Sequence, residues 1–433
     1  MKYWQPKYET MKHDELRELQ LNRLKKTAAS AYNNVHFYRE KFEALGITPE
    51  DIRSLDDIRK LPMTKKTDLR DNYPFGLFAV PKRDVVRIHA SSGTSGKPTV
   101  VGYTANDIET WANMMARNFT MVGLDANDVF QNAVNYGLFT GGLGFHYGIE
   151  QLGAMAVPSG TGNTARQIEM MQDFGVTAIH CTPSYGLYLA ETVREMNIID
   201  QLSLRVGCFG AEPWSSSTRK ELEDAFNIKA YDSYGLSEMM GPGIAFECQE
   251  QDGLHIWSDH YLVEVLDEDG EQVAEGEKGE LVLTSLTKEA LPMIRYRTGD
   301  ITRLLKSECA CGRTSNRISR ILGRADDMLI VRGINVFPSQ IENVLVRIEK
   351  ITDQFEIYLD RNKNKLDEIT VRVELDEGAF TGEIKDLEST RRLVEGELKS
   401  VLNIRANVEL VEKGTIPRTT GKAKRVFDRR EAI

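Results

Sequence analysis

The sequence predicts an α/β protein with a large N-terminal domain of α/β sheets that carries a β-rich subdomain, followed by a small C-terminal α+β domain. Three observations lead there. A chain of 433 residues exceeds what one core comfortably organises, so a large and a smaller domain are expected. Apolar strands such as Ala154–Val157, Ala178–Ile179 and Val206–Phe209 alternate with helices such as Arg166–Phe174 and Ser215–Phe226, the rhythm of an α/β sheet with ligand loops at its strand ends. Beyond Gly323 the polar stretch Arg324-Ala325-Asp326-Asp327 precedes a fresh set of elements, which divides the chain into 1–325 and 326–433.

The segment Asp14 to Phe42 has helical periodicity, with Leu16, Leu19, Leu24, Ala28 and Ala31 near one face and Gly46-Ile47-Thr48-Pro49 closing it; it reads as a scaffold helix. After Leu61-Pro62-Met63 short strands and loops take over, and the α/β alternation follows. From Val263 to Leu283 the texture turns β-like, with turns at Asp267–Gly270 and Gly276–Gly279, which marks the β-rich subdomain. The last unit has a helix from Pro338, a strand near Ile369–Val373 and a helix around Arg391–Leu402. No internal repeat or low-complexity tract interrupts this order.

Bulk properties exclude several functions. The net charge of −10 does not favour binding by neutralising nucleic-acid phosphates. The N-terminus MKYWQPKYETMKHDELRELQ has no apolar core before a cleavage signal, and no run of about 18 apolar residues occurs elsewhere, so a soluble, cytoplasmic protein is expected. Five cysteines are too few and too irregular for a secreted disulfide framework. Cys181 and Cys208 lie in apolar strand-like runs and are expected to be buried.

The first chemical signal is Ser91-Ser92-Gly93-Thr94-Ser95-Gly96-Lys97-Pro98, after the run Val85-Val86-Arg87-Ile88. Glycines let backbone N–H groups converge on anionic oxygens, while hydroxyls and one lysine add donors and charge. That chemistry suits a nucleoside triphosphate. Pro98 after Lys97 breaks the GxxxxGK[ST] pattern and cannot begin the long helix that pattern requires, so a P-loop kinase or GTPase is disfavoured. By itself the stretch also reads as a polar turn.

Further along stand Gly210-Ala211-Glu212-Pro213, Asp232-Ser233-Tyr234-Gly235-Leu236-Ser237-Glu238, Tyr296-Arg297-Thr298-Gly299-Asp300, Gly323-Arg324-Ala325-Asp326-Asp327 and Pro417-Arg418-Thr419-Thr420-Gly421-Lys422. With the SSGTSGKP loop first, this succession resembles the conserved cores of the adenylate-forming superfamily of acyl-CoA synthetases, peptide-synthetase adenylation domains and luciferases, across nearly the whole chain. The short N-terminal region, the segment Tyr136 to Gly144 and the ending GKAKRVFD resemble the phenylacetate-CoA ligases in particular.

The resemblance implies an ATP-dependent ligase that converts an arylacetate to acyl-AMP, then to a CoA thioester. It implies that Ser91, Ser92, Gly93, Thr94, Ser95, Gly96 and Lys97 wrap the β- and γ-phosphates, that Glu238 holds Mg²⁺, and that Ser237 reaches the α-phosphate. Gly210, Ala211, Glu212 and Pro213, with Asp232, Ser233, Tyr234 and Gly235, would line the adenine site. Asp300 would accept both ribose hydroxyls, and Arg324 would donate near ribose and phosphate. Lys422 would be the adenylation cation and Asp326 the hinge of a mobile C-terminal domain. A homodimer is also implied. Taken singly, Asp300 reads as a turn cap, Arg324 as an interdomain ion pair, Glu238 as a helix N-terminal acid and Lys422 as solvated charge.

The acyl group would sit against Tyr136, Phe139, Gly141, Gly142, Leu143 and His146, where small residues leave room and aromatics stack on a ring; an ordinary core loop is the plainer reading. Cys248, His255, Cys309 and Cys311 would complete a closed Cys₃His zinc site, with ordinary reduced cysteines as the alternative, since CxC is tighter than the usual C-x₂-C. Two other functions stay open. An enzyme loading a carrier protein would consume no free CoA, and a non-catalytic homologue would show no pyrophosphate exchange with any acid.

Overall fold

The computed structural model describes residues 2–91, 98–305, 308–325, 329–331, 334–361, 367–376, 384–402, 404–419 and 423–430. The chain gathers into two units: Met1–Cys181 with Asp200–Ala211 and Lys229–Arg320, and Thr182–Ile199 with Glu212–Ile228 and Ile321–Ile433.

The predicted N-terminal helix is two helices, His13–Asn34 and His36–Ala44, separated by an extended Val35 (φ −118°, ψ 111°). Asn33, Asn34 and β-branched Val35 are poor helix residues in succession. Leu16, Leu24, Ala28 and Ala31 face inward as expected, but Leu19 is only partly covered. A buried Gln20 shares that face, and its Nε2 donates to the Ser258 carbonyl at 2.7 Å.

An antiparallel pair, β1 (Arg87–Ala90) and β2 (Val100–Tyr103), flanks the phosphate-loop sequence. The main sheet has a parallel half made of β3 (Val129–Asn132), β4 (Met155–Val157), β5 (Ala178–Cys181), β6 (Val206–Gly210) and β7 (Lys229–Leu236), in the spatial order β4-β3-β5-β6-β7. β5 and β6 are buried along their whole lengths, including Cys181 and Cys208, as strands covered on both faces are, and for that reason they read as short apolar runs.

The sheet continues antiparallel through β8 (Gly241–Glu247), β9 (Leu254–Ile256), β10 (Tyr261–Leu266), β11 (Lys278–Ser285), β12 (Tyr296–Leu305) and β13 (Arg317–Ile318), in the order β8-β9-β13-β12-β11-β10. The predicted β-rich stretch, Val263–Leu283, corresponds to β10, β11 and their connection; the antiparallel half extends well beyond it and is continuous with the parallel half through the β7–β8 pairing.

In the second unit, strands Ile351–Arg361 and Asp367–Leu375 pair antiparallel, with Val426–Asp428 parallel to the first and Asn407–Val411 parallel to the second. Helices Pro338–Leu345 and Ile384–Leu402 accompany this sheet, and Ile341, Leu345, Ile357, Val371, Val394 and Leu398 belong to one buried cluster. The second helix begins earlier than the sequence periodicity suggested. Among the described residues no helix is long and apolar enough to cross a membrane.

Candidate active site and metal centre

Residues 92–97, the heart of the phosphate loop, lie outside the described residues, as do Asp326 and Lys422. The loop's base is described. Thr99 is fully buried; its N–H donates to Ser91 Oγ at 3.1 Å, and its Oγ1 lies 2.8 Å from the same oxygen and 3.5 Å from Glu238 Oε1. The root of the loop and the Glu238 carboxylate, which are remote in sequence, therefore share one buried threonine.

Glu238 is not the first residue of a helix. It sits in the turn 237–240 that joins β7 to β8, and it is 5% exposed. Ser237 Oγ is 3.1 Å from Thr140 Oγ1. The Glu238 carbonyl accepts from Lys288 Nζ at 3.0 Å. Lys288 is buried, with its ammonium 4.7 Å from the centre of the Tyr103 ring, and burial pulls its pKa down to about 8 against the opposing pull of Asp107 and Glu238. A carboxylate flanked by hydroxyls is a hard oxygen donor set, the kind that Mg²⁺ takes.

Other predicted nucleotide residues cluster where β6 and β7 run side by side, Gly210 opposite Ser233. A Cβ on Gly210 would stand 2.2 Å from the Ser233 carbonyl oxygen, so only glycine lets the strand ends approach there. Ala211, the next residue, has φ +72°, a left-handed conformation uncommon for a residue with a side chain; strained backbone of this kind concentrates at functional sites. The Asp232 N–H donates to Glu247 at 2.8 Å, and Arg320 Nε donates to the Asp232 carboxylate at 3.2 Å. The Tyr234 hydroxyl donates to Asp300 Oδ2 at 2.5 Å, and the Asp300 N–H donates to Thr298 Oγ1. Asp300 is buried, with one of its two oxygens already holding Tyr234.

Glu212, Pro213 and Arg324 belong to the second unit. There the Glu212 carboxylate accepts from the N–H groups of Ser184 (2.7 Å) and Ala423 (3.2 Å). All three residues line a cavity of about 300 Å³, together with Lys424 and Arg425.

The predicted acyl residues lie on the helix Thr140–Leu152 and the loop before it. Phe139 is 42% exposed. A Cβ on Gly142 would stand 2.7 Å from the Asn135 carbonyl oxygen, whereas one on Gly141 would meet nothing closer than 4.0 Å; close packing requires the first glycine and not the second. Two residues unmarked by any motif organise this region. Asn132, the last residue of β3, and His180, the next to last of the adjacent parallel strand β5, stand opposite each other, on either side of the point where the strand order reverses, the place where open α/β sheets bind ligands.

Asn132 Nδ2 donates to the Gly142 carbonyl (2.7 Å) and to Tyr136 Oη (2.8 Å). This fixes its amide, so Oδ1 accepts from His180 Nδ1–H at 2.8 Å. The Tyr136 hydroxyl then points its own proton to His146 Nδ1 at 3.4 Å, and His146 Nε2 faces Glu150 at 3.1 Å. Burial pulls His180 down to about 3, so its ring is neutral at pH 7, stacked 3.4 Å from Phe145. Burial also pushes the Tyr136 phenol up to about 12.

Cys248, His255, Cys309 and Cys311 converge: all four are buried, and their ligand atoms lie within 4.8 Å of one another. The Cys248 and Cys309 sulfurs are 3.6 Å apart, and Cys311 Sγ is 3.3 Å from His255 Nε2. With metal–ligand bonds of about 2.0–2.3 Å, tetrahedral zinc needs ligand separations in this range. His255 Nδ1 is engaged by Ser315 Oγ at 3.0 Å, leaving Nε2 for a metal, as outer-shell partners do. The Cys248 contact pulls the Cys311 thiol well below its ordinary range, towards the ligating thiolate, with His255 adding to the effect.

Comparison with known proteins follows the same lines. The family model of AMP-binding enzymes matches residues 24–287, and that of the AMP-binding enzyme C-terminal domain matches 333–430. The phenylacetate-coenzyme A ligase of Escherichia coli (strain K12) is 51% identical over 429 residues, covering 98% of this chain and 97% of that protein. The enzyme of the same name from Pseudomonas putida is 49% identical over 98% of this chain and 96% of its own length. Among solved structures, 2-hydroxyisobutyryl-CoA ligase in the postadenylation state, in complex with 2-HIB-AMP, superposes with a TM-score of 0.92 at 34% identity, covering 98% of this chain and 92% of that one.

Proposed function

We infer, for a chain that belongs to the AMP-binding enzyme family and within it to the phenylacetate-CoA ligases, that it joins phenylacetate or a close arylacetate to coenzyme A at the expense of ATP. A carboxylate oxygen of the acid attacks the α-phosphorus, and the bond to pyrophosphate breaks. The CoA sulfur then attacks the acyl carbon, the thiol proton leaves, and AMP departs with the C–O bond electrons. No covalent enzyme nucleophile is needed, so the protein's work is to hold two anions in line and to neutralise charge. The observation that carries this reading is the single buried threonine that joins the base of the phosphate loop to the Glu238 carboxylate.

In this reading Ser91 to Lys97 bind the β- and γ-phosphates, Ser237 the α-phosphate, and Asp300 the ribose beside Tyr234. Glu238 holds Mg²⁺, which when bound neutralises triphosphate charge. Gly210 to Pro213 and Asp232 to Gly235 line the adenine, and Arg324 donates to ribose and phosphate. Tyr136, Phe139, Gly141, Gly142, Leu143 and His146 take the aryl group, with the Asn132–His180 pair behind them. Cys248, His255, Cys309 and Cys311 hold a structural zinc with no open position. We place the domain boundary at 325/326, the hinge at Asp326, and the enzyme in the cytoplasm as a homodimer.

The decisive experiment separates the half-reactions. Lys422→Ala should slow acid-dependent pyrophosphate exchange by a factor on the order of 10² or more, the cost of losing one transition-state donor. Thioester formation from synthetic phenylacetyl-AMP and CoA should survive. Equal losses in both half-reactions would contradict a C-terminal domain that turns about Asp326, presenting Lys422 for adenylation and another face for thioester formation.

A further inference from the structure

Nothing in the local sequence Leu286-Thr287-Lys288-Glu289-Ala290 marks a functional lysine, yet Lys288 is 3% exposed. A buried ammonium is costly unless its charge and donors are used, and the fold specifies its place from both sides. On one side the loop carrying it is clamped to the start of the helix Ala105–Met121. The Asp107 carboxylate, itself fully buried, accepts from the N–H groups of Glu289 (2.7 Å) and Ala290 (3.0 Å). Thr104 Oγ1 and Asn106 Nδ2 each donate to the Glu289 carboxylate at 2.8 Å.

On the other side Lys288 Nζ donates to the Glu238 carbonyl. The rest of that turn is held in the same way. Tyr103 Oη is 3.0 Å from the Met240 carbonyl and 3.3 Å from that of Ser237, and Tyr261 Oη donates to Met239 at 3.2 Å. Four successive carbonyls, 237 to 240, thus meet buried side-chain donors from three separate parts of the chain. Tyr103 is further fixed by stacking on Trp111, with ring centres 5.3 Å apart.

We propose that Lys288, seconded by the Tyr103 hydroxyl, is a positioning residue for adenylation: it holds the Glu238 turn so that the carboxylate is preformed for the magnesium of MgATP. This rests on the role proposed above for Glu238. A turn whose four carbonyls are held by three buried donors loses no order when the metal arrives, and a carboxylate displaced by about 1 Å forfeits on the order of 10²-fold in rate.

The test is calorimetric as well as kinetic. ATP affinity is measured with Mg²⁺ and with EDTA for the wild type, Lys288→Met, Glu238→Gln and the double variant, beside pyrophosphate exchange. Lys288→Met should lose at least about tenfold of the magnesium-dependent gain in affinity while binding ATP in EDTA as the wild type does. Added to Glu238→Gln it should cost little more, because the carboxylate it positions is already gone.

Should Lys288→Met fail to fold, Tyr103→Phe, which removes one hydroxyl without changing shape, should show a smaller loss of the same kind. A full magnesium-dependent gain in Lys288→Met, or in Tyr103→Phe where that variant stands in, overturns the proposal alone. Losses that are equal with Mg²⁺ and EDTA, or that add fully to Glu238→Gln, also overturn it and mark a merely structural lysine. No effect of Glu238→Gln itself would overturn the Glu238 assignment, and this proposal with it.

Discussion

Asp300 shows how a single contact refines a residue's role. A free carboxylate offers both oxygens to a ribose, but here Tyr234 already donates to Oδ2, which orients the group before any nucleotide arrives. Removing the carboxylate should therefore cost more than removing its orienter. Asp300→Ala is expected to weaken ATP binding by at least about tenfold, the value of a charge-assisted hydrogen bond. Tyr234→Phe should weaken it by less. Calorimetry on the two variants checks the order, and equal affinities for wild type and Asp300→Ala would remove the ribose role. The same logic applies to Tyr136, whose hydroxyl is held between Asn132 and His146. Tyr136→Phe should break that relay and raise KM for the arylacetate several-fold with ATP affinity unchanged, which an acid titration at saturating ATP would show.

At the scale of elements, the Cys₃His cluster is a product of strand pairing. Cys248 follows β8 and His255 lies on β9, its antiparallel neighbour. Cys309 and Cys311 lie on the connection between β12 and β13, and β13 pairs with β9. The same connection grips the N-terminal segment. Arg313 and Glu9 form an ion pair with both side chains fully buried, Thr314 bonds to the carbonyls of Glu9 and Met11, and Tyr3 Oη donates to the Cys311 carbonyl. Zinc removal, or Cys309→Ser, is expected to loosen residues 2–11 first, lowering Tm by about 5 °C or more. Limited proteolysis near the N-terminus should accelerate in parallel. Unchanged protection of that segment in chelator-treated protein, or the absence of zinc from protein purified without chelators, would end this account.

For the molecule as a whole, buried neutral histidines set a pH dependence. His180 and His260 are pulled by burial to about 3 and about 4, below the ordinary value of about 6.5 that they regain on unfolding. Between pH 7 and 5 the unfolded chain thus comes to bind about two protons that the native protein refuses. The stability these two rings contribute is complete above pH 7 and is lost as the pH drops through 6.5 towards the folded values. Thermal melts at pH 7, 6 and 5 should show Tm declining, with a shallower slope in His260→Asn. A flat profile over that range would contradict the burial of both rings as neutral species.

The order of short motifs, each a few adjacent residues, was legible in the sequence because glycines, hydroxyls, acids and bases carry their chemistry locally. From them came the family, the α/β class and the candidate nucleotide, acyl and zinc residues. The alternation of apolar runs likewise located β5 and β6 to within two residues, since a strand covered on both faces has to be apolar along its length. Partnership was not legible. Lys288 reads as one more surface lysine until the fold buries it against the Glu238 carbonyl, 50 residues away in sequence. Asn132 and His180 belong to no motif, and they meet only because β3 and β5 are neighbours while β4, which lies between them in the chain, is placed outside. Sequence spacing sets what each segment can form, whereas strand order and burial decide which groups leave water together. Proton affinities and hydrogen-bond partners change with that removal from water, and so only the tertiary structure could assign them.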